Sequence, residues 1–577
     1  MIKILSSIVG ILIVLQIPTL HSFEVPTHRA LSDLATRSSN LDDFLKSQLL
    51  LPGGINESVA GRRVFEWVQE GSDREDDGFR FFNHFHNPLR AWSQAGLRPL
   101  GVQLGSSSIL WGQNASQEFG WQNARSVYFE ALTSQTKQVR DEKFAAIAET
   151  LGQLIHLPQD AAVPAHTRND QHLAYDGFER FALSVTGTPL FDQLTQNPVR
   201  FDPSILNFTQ NPLAPVPIAR IIDATDPEQA QATPSAGTNQ GMAEYSNANF
   251  LSGDTIFKDF AFPRLESIDL NSPLTLNNRR YFTKITDGET NYFLVAEGTF
   301  TERLLSLVSG DKGFVLDSQV YQDYASLLLP RAVGYSAGLL DYFFRGRMEL
   351  LQDADTPAGP TEVRLKVRNS TPNENAGVGE IVGLIEFFSG DRRASASQMI
   401  NLTSDFQEII FDFGSSLLND FDLSRFPKFL SVVYKGHLGM EDQAVIAKTI
   451  KPRLASLCDG RRGFTGCLEG WQVPSLAATL IIEARGLNNT GELRACAANE
   501  DAECLDDQIF PVSFTTPSSV SITAPTSTES TAVRSFFFLD TIADSGGFVC
   551  VFNVTSPSPG VEGLDVGVGF RSWFCPQ

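Results

Sequence analysis

Eight histidines occur in this 577-residue chain, and six of them crowd between residues 28 and 172: His28, His84, His86, His156, His166 and His172. Outside that stretch stand only His21 and His437. Neutral imidazole is the commonest metal ligand, and carboxylates complete such sites. Within the run from Leu151 to His166, His156 and Asp160 are four residues apart, so on a helix they share one face. That face is otherwise apolar, which turns the pair inward. A buried, unpaired Asp160 would be costly, and a cation would offset that cost. His166 follows a break at Pro164 and can turn back toward the pair. Hydrolysis assisted by a metal ion is the chemistry that such a set would carry.

Helices must position these groups. Residues 24 to 185 read as helical, and Arg140 to His156 places Phe144, Ile147, Ala148, Leu151, Leu154 and Ile155 at helical spacing. Residues 185–310 are mixed, with a loop or insertion character strongest from Asn197 to Gly241. Helix returns over 317–350, where Tyr321, Tyr324, Leu328, Ala332, Tyr335, Leu339 and Phe343 form a stripe. Residues 351–361 read as a linker. Beyond it come short alternating runs such as Glu362 to Val367 and Ile381 to Phe388, the pattern of a β-sandwich. The expected organisation is therefore multidomain: an all-α domain over 23–350 with an insertion near 185–310, a β-sandwich over 362–450, and a second β domain over 451–577.

Lys3 followed by a mostly apolar run from Ile4 to Ile17 reads as a secretory signal, residues 1–22, with cleavage after Ser22. The run is short of the roughly 20 residues that span a bilayer. A secreted, periplasmic or extracellular location is expected. All six cysteines (Cys458, Cys467, Cys496, Cys504, Cys550 and Cys575) lie in the last β region, and an even number in an exported chain suggests disulfides of unknown connectivity. They are remote from the histidines, which excludes a zinc–thiolate site. The net charge of −22 argues against passive binding to a nucleic-acid backbone.

The ordered motifs resemble those of the bacterial zinc-dependent phospholipases C and the related single-strand-specific zinc nucleases. His156, Asp160 and His166 match the family's His-x3-Asp-x5-His pattern, and Asn83 to Pro88 resembles its His-Phe-Tyr-x-Pro segment, placing His84 on a ligand. Gly71 to Asp76 resembles the segment that supplies an Asp, with Asp76 at the matching offset. His172 and Phe178-Glu179 resemble the last His and Glu ligands. The resemblance covers residues 23–185 and resumes at 317–350. It implies three Zn²⁺ ions: Asp76, His84, His156 and Asp160 around the first; His166, His172 and Glu179 around the second; Phe23, His28 and the bridging Asp160 around the third. Phe23 would bind as the mature N-terminus, through its own amino nitrogen and carbonyl oxygen. Asp76 would be ligand or general base, and a metal-activated water would attack the phosphodiester.

Three departures from the pattern stand in the sequence. Pro158 lies between His156 and Asp160, where a helix loses a hydrogen bond. His172 and Glu179 are seven residues apart rather than four, which makes Asp176 a competing ligand. The mature first residue is Phe where the best-known members have Trp. His86 reads equally as a pocket residue or a surface one, and His437 as structural. The implied function is an exported zinc-dependent phosphodiesterase that hydrolyses phospholipid headgroups, with phospholipid or a membrane surface as partner. Single-strand nuclease action, with nucleic acid as partner, and a non-catalytic, zinc-stabilised surface-binding protein are the alternatives. Protein partners cannot be read from the sequence.

Overall fold

The computed structural model describes residues 25–170, 176–206, 217–225, 228–300, 302, 313–351, 361–387, 390–414 and 427–450, and beyond these the backbone of strands between Trp471 and Thr555. Contacts divide the chain into two units, one holding residues 25–131, 141–346 and 437–445, the other 132–140, 347–436 and the strands from 446 onward. The N-terminal region is helical and the C-terminal region is β-sheet. Among the described residues, no helix is long and apolar enough to cross a membrane.

In the first unit, six helices carry or support the histidines: α1 (Val25–Ser38), α2 (Val64–Arg74), α3 (Lys137–Asp160), α4 (Pro164–Thr167), α5 (Gly177–Val185) and α6 (Ser318–Phe343). The apolar stripe predicted for α3 is buried, and burial continues without a break from Leu154 to Asp160. The helix runs through Pro158 into the predicted Asp160. The proline falls in the last turn, so it removes one hydrogen bond without ending the face that His156 and Asp160 share. Asp317 starts α6 by accepting hydrogen bonds from the Gln319 and Val320 amides.

α2 and α3 cross at two glycines. A Cβ on Gly71 would lie 1.8 Å from the Glu149 carbonyl oxygen, and one on Gly152 would lie 2.1 Å from that of Val68. Only hydrogen at these positions allows the backbones to approach so closely. The contact brings Ser72 of α2 under His156 of α3.

The helical region is not all-α. The stretch read as an insertion holds helices Pro189–Thr195 and Met242–Asn249 and a small antiparallel sheet. Its strands Leu274–Leu276, Arg279–Thr283, Phe293–Glu297 and Phe314–Val315 pair in sequence order. They are two to five residues long, too short for periodicity to separate from loop.

The second unit begins with strands on both sides of the expected linker. β1 (Met348–Leu351) pairs antiparallel with β2 (Glu362–Asn369), which pairs with Gln407–Asp412. β2 alternates as predicted, with Val363, Leu365 and Val367 buried. A second sheet is built on β3 (Ala376–Phe387) and the long hairpin Pro427–Leu438 and Glu441–Ile450, of which residues 437–445 count with the first unit. The sheets meet where Gly383 of β3 leaves room for the Phe411 ring. Further on, strands between Trp471 and Thr555 form one sheet of four and one of three. Residues 1–24, His172, and the side chains of the six cysteines lie outside the described residues, and with them the expected signal, Phe23 and the disulfides.

Candidate metal centre

His28, Asp76, His84, His156, Asp160 and His166 come from five separate segments and converge in the interior of the first unit, all essentially inaccessible to solvent. Two sets bring their ligand atoms within 4.8 Å of one another: His28, Asp76 and His156, and His84, His156 and Asp160. Asp160 is the hub. Its Oδ2 lies 2.8 Å from His84 Nδ1 and 2.9 Å from His156 Nε2, while its Oδ1 lies 3.3 Å from His28 Nε2 and 3.8 Å from His166 Nδ1. Asp76 Oδ1 is 3.5 Å from His84 Nδ1 and 3.7 Å from His156 Nε2. The His28 and His156 rings stack with centroids 3.7 Å apart.

Each imidazole has an inward and an outward nitrogen. His156 donates from Nδ1 to the Ser72 carbonyl at 2.8 Å, which leaves Nε2 as the lone-pair nitrogen facing the carboxylates. His28 Nδ1 meets Gln159 Oε1 at 2.7 Å, and the Gln159 amide donates onward to Ser32 Oγ at 3.0 Å. That chain fixes the His28 proton on Nδ1 and turns the Nε2 lone pair inward. His84 directs Nε2 toward Glu75 Oε1 at 3.7 Å. Glu75 is itself held by Trp111 Nε1 at 2.7 Å and by Arg80. His166 Nε2 meets Glu179 Oε1 at 3.1 Å, and its ring stacks on Phe85 at 4.5 Å. Partners on the outer nitrogen that fix tautomer and ring orientation are what metal-ligating histidines require.

The inner atoms are left over. Both oxygens of Asp76, Nδ1 of His84 and Nε2 of His156 are fully buried, and none makes a hydrogen bond of acceptable geometry; the outer Nε2 of His84 makes none either. Buried polar groups without partners are rare in folded proteins, and several pointing at one another call for a cation. Nitrogen and oxygen donors without sulfur suit a divalent ion of zinc type. Without metal, protons must supply the counter-charge. Burial lowers the His84 pKa, but the neighbouring Asp160, Glu75 and Asp76 carboxylates overcome it and push it up to about 10. For His28, burial also opposes protonation, yet Asp160 and Asp76 raise its pKa. Burial would push Asp160 up, but the surrounding imidazoles hold it well below the usual carboxylate range.

The remaining expected residues divide. Glu179 sits beside His166, the partner expected for it. Asp176 caps α5, with Oδ1 accepting from the Phe178 and Glu179 amides at 2.8 and 3.0 Å. The signal for this was the Asp176/Glu179 spacing, that of a helix N-cap and its third residue. His86 is buried outside the cluster, with Nε2 on Asp223 at 2.8 Å and its amide on the His166 carbonyl. His437 pairs with Asp442 at 2.9 Å. Gln159 and Ser72, which orient His28 and His156, and Glu75, which stands behind His84, were not singled out in the sequence. Glu75 and Gln159 each adjoin a candidate ligand, a signal too common to select them.

No family model and no curated protein matches the chain. Solved structures that resemble it include alpha-toxin from Clostridium absonum, 11% identical, with 74% of this chain and 99% of that chain covered at a TM-score of 0.23. Alpha-toxin from an avian strain of Clostridium perfringens is similar at 11% identity, 74% and 98% coverage and a TM-score of 0.21. Superpositions of that quality carry no argument about fold or activity, and the functional reading rests on the site.

Proposed function

We propose that the chain is an exported, zinc-dependent phosphodiesterase of phospholipase C type that hydrolyses phospholipid headgroups. The observation that carries this reading is the meeting of buried ligand atoms of His28, Asp76, His84, His156 and Asp160, with His28 and His156 oriented from behind and the Asp76 oxygens left without hydrogen bonds. A structural site would close all its positions with protein ligands, whereas catalysis needs one kept open.

Asp76, His84, His156 and Asp160 would hold a first ion, and His28 with Asp160 another, completed by the mature amino group of Phe23. His166, Glu179 and His172 would hold the third. When bound, the ions supply Lewis acidity toward a phosphoryl oxygen and bring the pKa of a bound water toward neutrality. Asp160 would contribute its negative charge to the first two sets. Asp76, with neither oxygen engaged, is placed to ligate or to accept a proton from the attacking water. Gln159 and the Ser72 carbonyl keep His28 and His156 on the tautomer that presents a lone pair.

Metal content of the mature protein, with its N-terminal residue, tests the site. Assays on phosphatidylcholine and on denatured DNA, with and without chelator, test the reaction. Chelator-sensitive release of phosphocholine is expected. Cleavage of DNA alone would move the activity to the nuclease branch, and bound zinc without either activity would leave a zinc-stabilised binding protein.

A further inference from the structure

The loop Leu97–Gly105 turns the usual order of a surface loop around. Leu100 is 98% exposed, Val102 64% and Leu104 51%, and nearby Phe79 is 74% exposed. Its polar groups bond to one another. The Gly101, Val102 and Leu104 amides donate to the Arg98, Pro99 and Leu97 carbonyls. The Arg98 guanidinium donates to Gln103 Oε1 and the Gly101 carbonyl, and the Gln103 amide donates to Ser93 and Gly105 carbonyls. Leu100 is held at φ 51°, ψ 27°, a left-handed conformation that leucine resists. A packed, self-bonded loop thus fixes aliphatic side chains in solvent.

Its base is tied to the metal centre on two sides. The Arg98 amide donates to Asn169 Oδ1 at 2.7 Å, three residues past His166. The Ser106 amide donates to Asn83 Oδ1 at 2.9 Å, one residue before His84. Phe79 stacks on Phe82, whose carbonyl lies against Gly105.

We propose that this loop is a docking point that inserts Leu100, Val102 and Leu104 into a zwitterionic phospholipid surface beside the metal centre. Three features select a bilayer over a protein partner. Three backbone amides of the loop, those of Gly101, Val102 and Leu104, bond to its own carbonyls, which lowers the cost of carrying it out of water. The apolar groups form a projecting tip rather than the flat, well-packed patch that protein interfaces use. Arg98 lies at the base, at the depth where a cation meets phosphate headgroups while the tip reaches acyl chains. The net charge of −22 favours a zwitterionic surface over an anionic one. The inference rests on the phosphodiesterase reading for its purpose, since docking there would present headgroups to the site.

The test uses full-length protein stripped of metal by chelator, so that nothing is turned over, and phosphatidylcholine vesicles. Sedimentation with vesicles is compared for wild type and the variant L100S/V102S/L104S. Because these side chains are mostly solvent-exposed, thermal unfolding and metal content should stay as in wild type. Partitioning of the variant should weaken by about tenfold or more, the scale of removing a few aliphatic side chains from an apolar phase. Equal partitioning of both proteins would overturn the inference. So would a concentration-dependent dimer, in ultracentrifugation without vesicles, that only the variant loses, since the tip would then be a self-association surface. The metal reading fails separately, if wild type holds no metal.

Discussion

An imidazole offers two nitrogens, and in the metal centre one is spent on orientation so that the other can face a cation. Glu75 stands 3.7 Å behind His84 Nε2 as a charge rather than a hydrogen-bond partner, itself locked by Trp111 and Arg80. Replacing Glu75→Gln should weaken metal affinity by about 10- to 100-fold, measured by competition with a chelating dye, and should also destabilise the metal-free protein, because Arg80 loses its buried carboxylate partner. Asp160→Asn should do more, because it removes the charge shared by four imidazoles. The variant should be isolated with little metal, and the metal assay alone reads that outcome. Protons and metal compete for His84. Its folded pKa, about 10, is raised above the ordinary value near 6.5. In metal-free protein the imidazolium therefore adds stability that is fully present below about pH 6.5 and is lost as pH rises through about 10. Metal binding must expel that proton, so affinity should fall as pH falls. Calorimetry in buffers of different ionisation enthalpy would count the protons released.

At the scale of elements, the site depends on how closely α2 and α3 approach. Glycine at 71 and 152 permits it, and Ser72 thereby reaches His156. Gly152→Ala would push a methyl group into the Val68 carbonyl. The expected cost is about 1–3 kcal/mol or more in denaturant unfolding, with loss of metal affinity because the His156 orienting bond is stretched. A variant as stable as wild type would mean that the crossing can relax. The helical phase of α3 was legible from Phe144 to Ile155 and carried the His156/Asp160 pair onto one face. The crossing was not legible, because a glycine in a helix signals only weak propensity until the neighbouring backbone is known. The short strands from Leu274 to Val315 escaped for a related reason. Their pairing partners, not their own pattern, make them strands.

Over the whole molecule, the same balance of charge and burial recurs outside the metal centre. Within the first unit, the Glu441 carboxylate is buried with Arg125, at 2.7 and 2.9 Å, with Arg345 at 2.8 Å and with Trp121 Nε1 at 2.8 Å. Burial would raise its pKa, but the two guanidiniums hold it down to about 2. Glu441 therefore contributes stability present above its unfolded pKa near 4.3 and lost as pH falls from there toward about 2. Glu441→Gln should cost about 3–5 kcal/mol, since Arg125 would be left buried and under-compensated. It should also flatten the acid limb of the stability–pH curve between those values, which urea titration at each pH would reveal. An unchanged acid limb would show that other carboxylates govern acid unfolding.

What the chain determined by itself was local: which residue types occur, at what spacing, and hence which faces of which helices carry imidazole and carboxylate. Spacing put His156 and Asp160 on one face because helix geometry is fixed by the backbone alone. It also placed alternating strands after residue 361. The tertiary structure decided what no spacing encodes: that His28, Asp76 and His84, from segments up to 132 residues from Asp160, reach the same point. It decided too that Asp176 spends its carboxylate on a helix end, and that Glu75 and Gln159 stand behind the ligands. Long-range convergence depends on how helices cross, and crossing is set by the fit of surfaces that are distant in sequence.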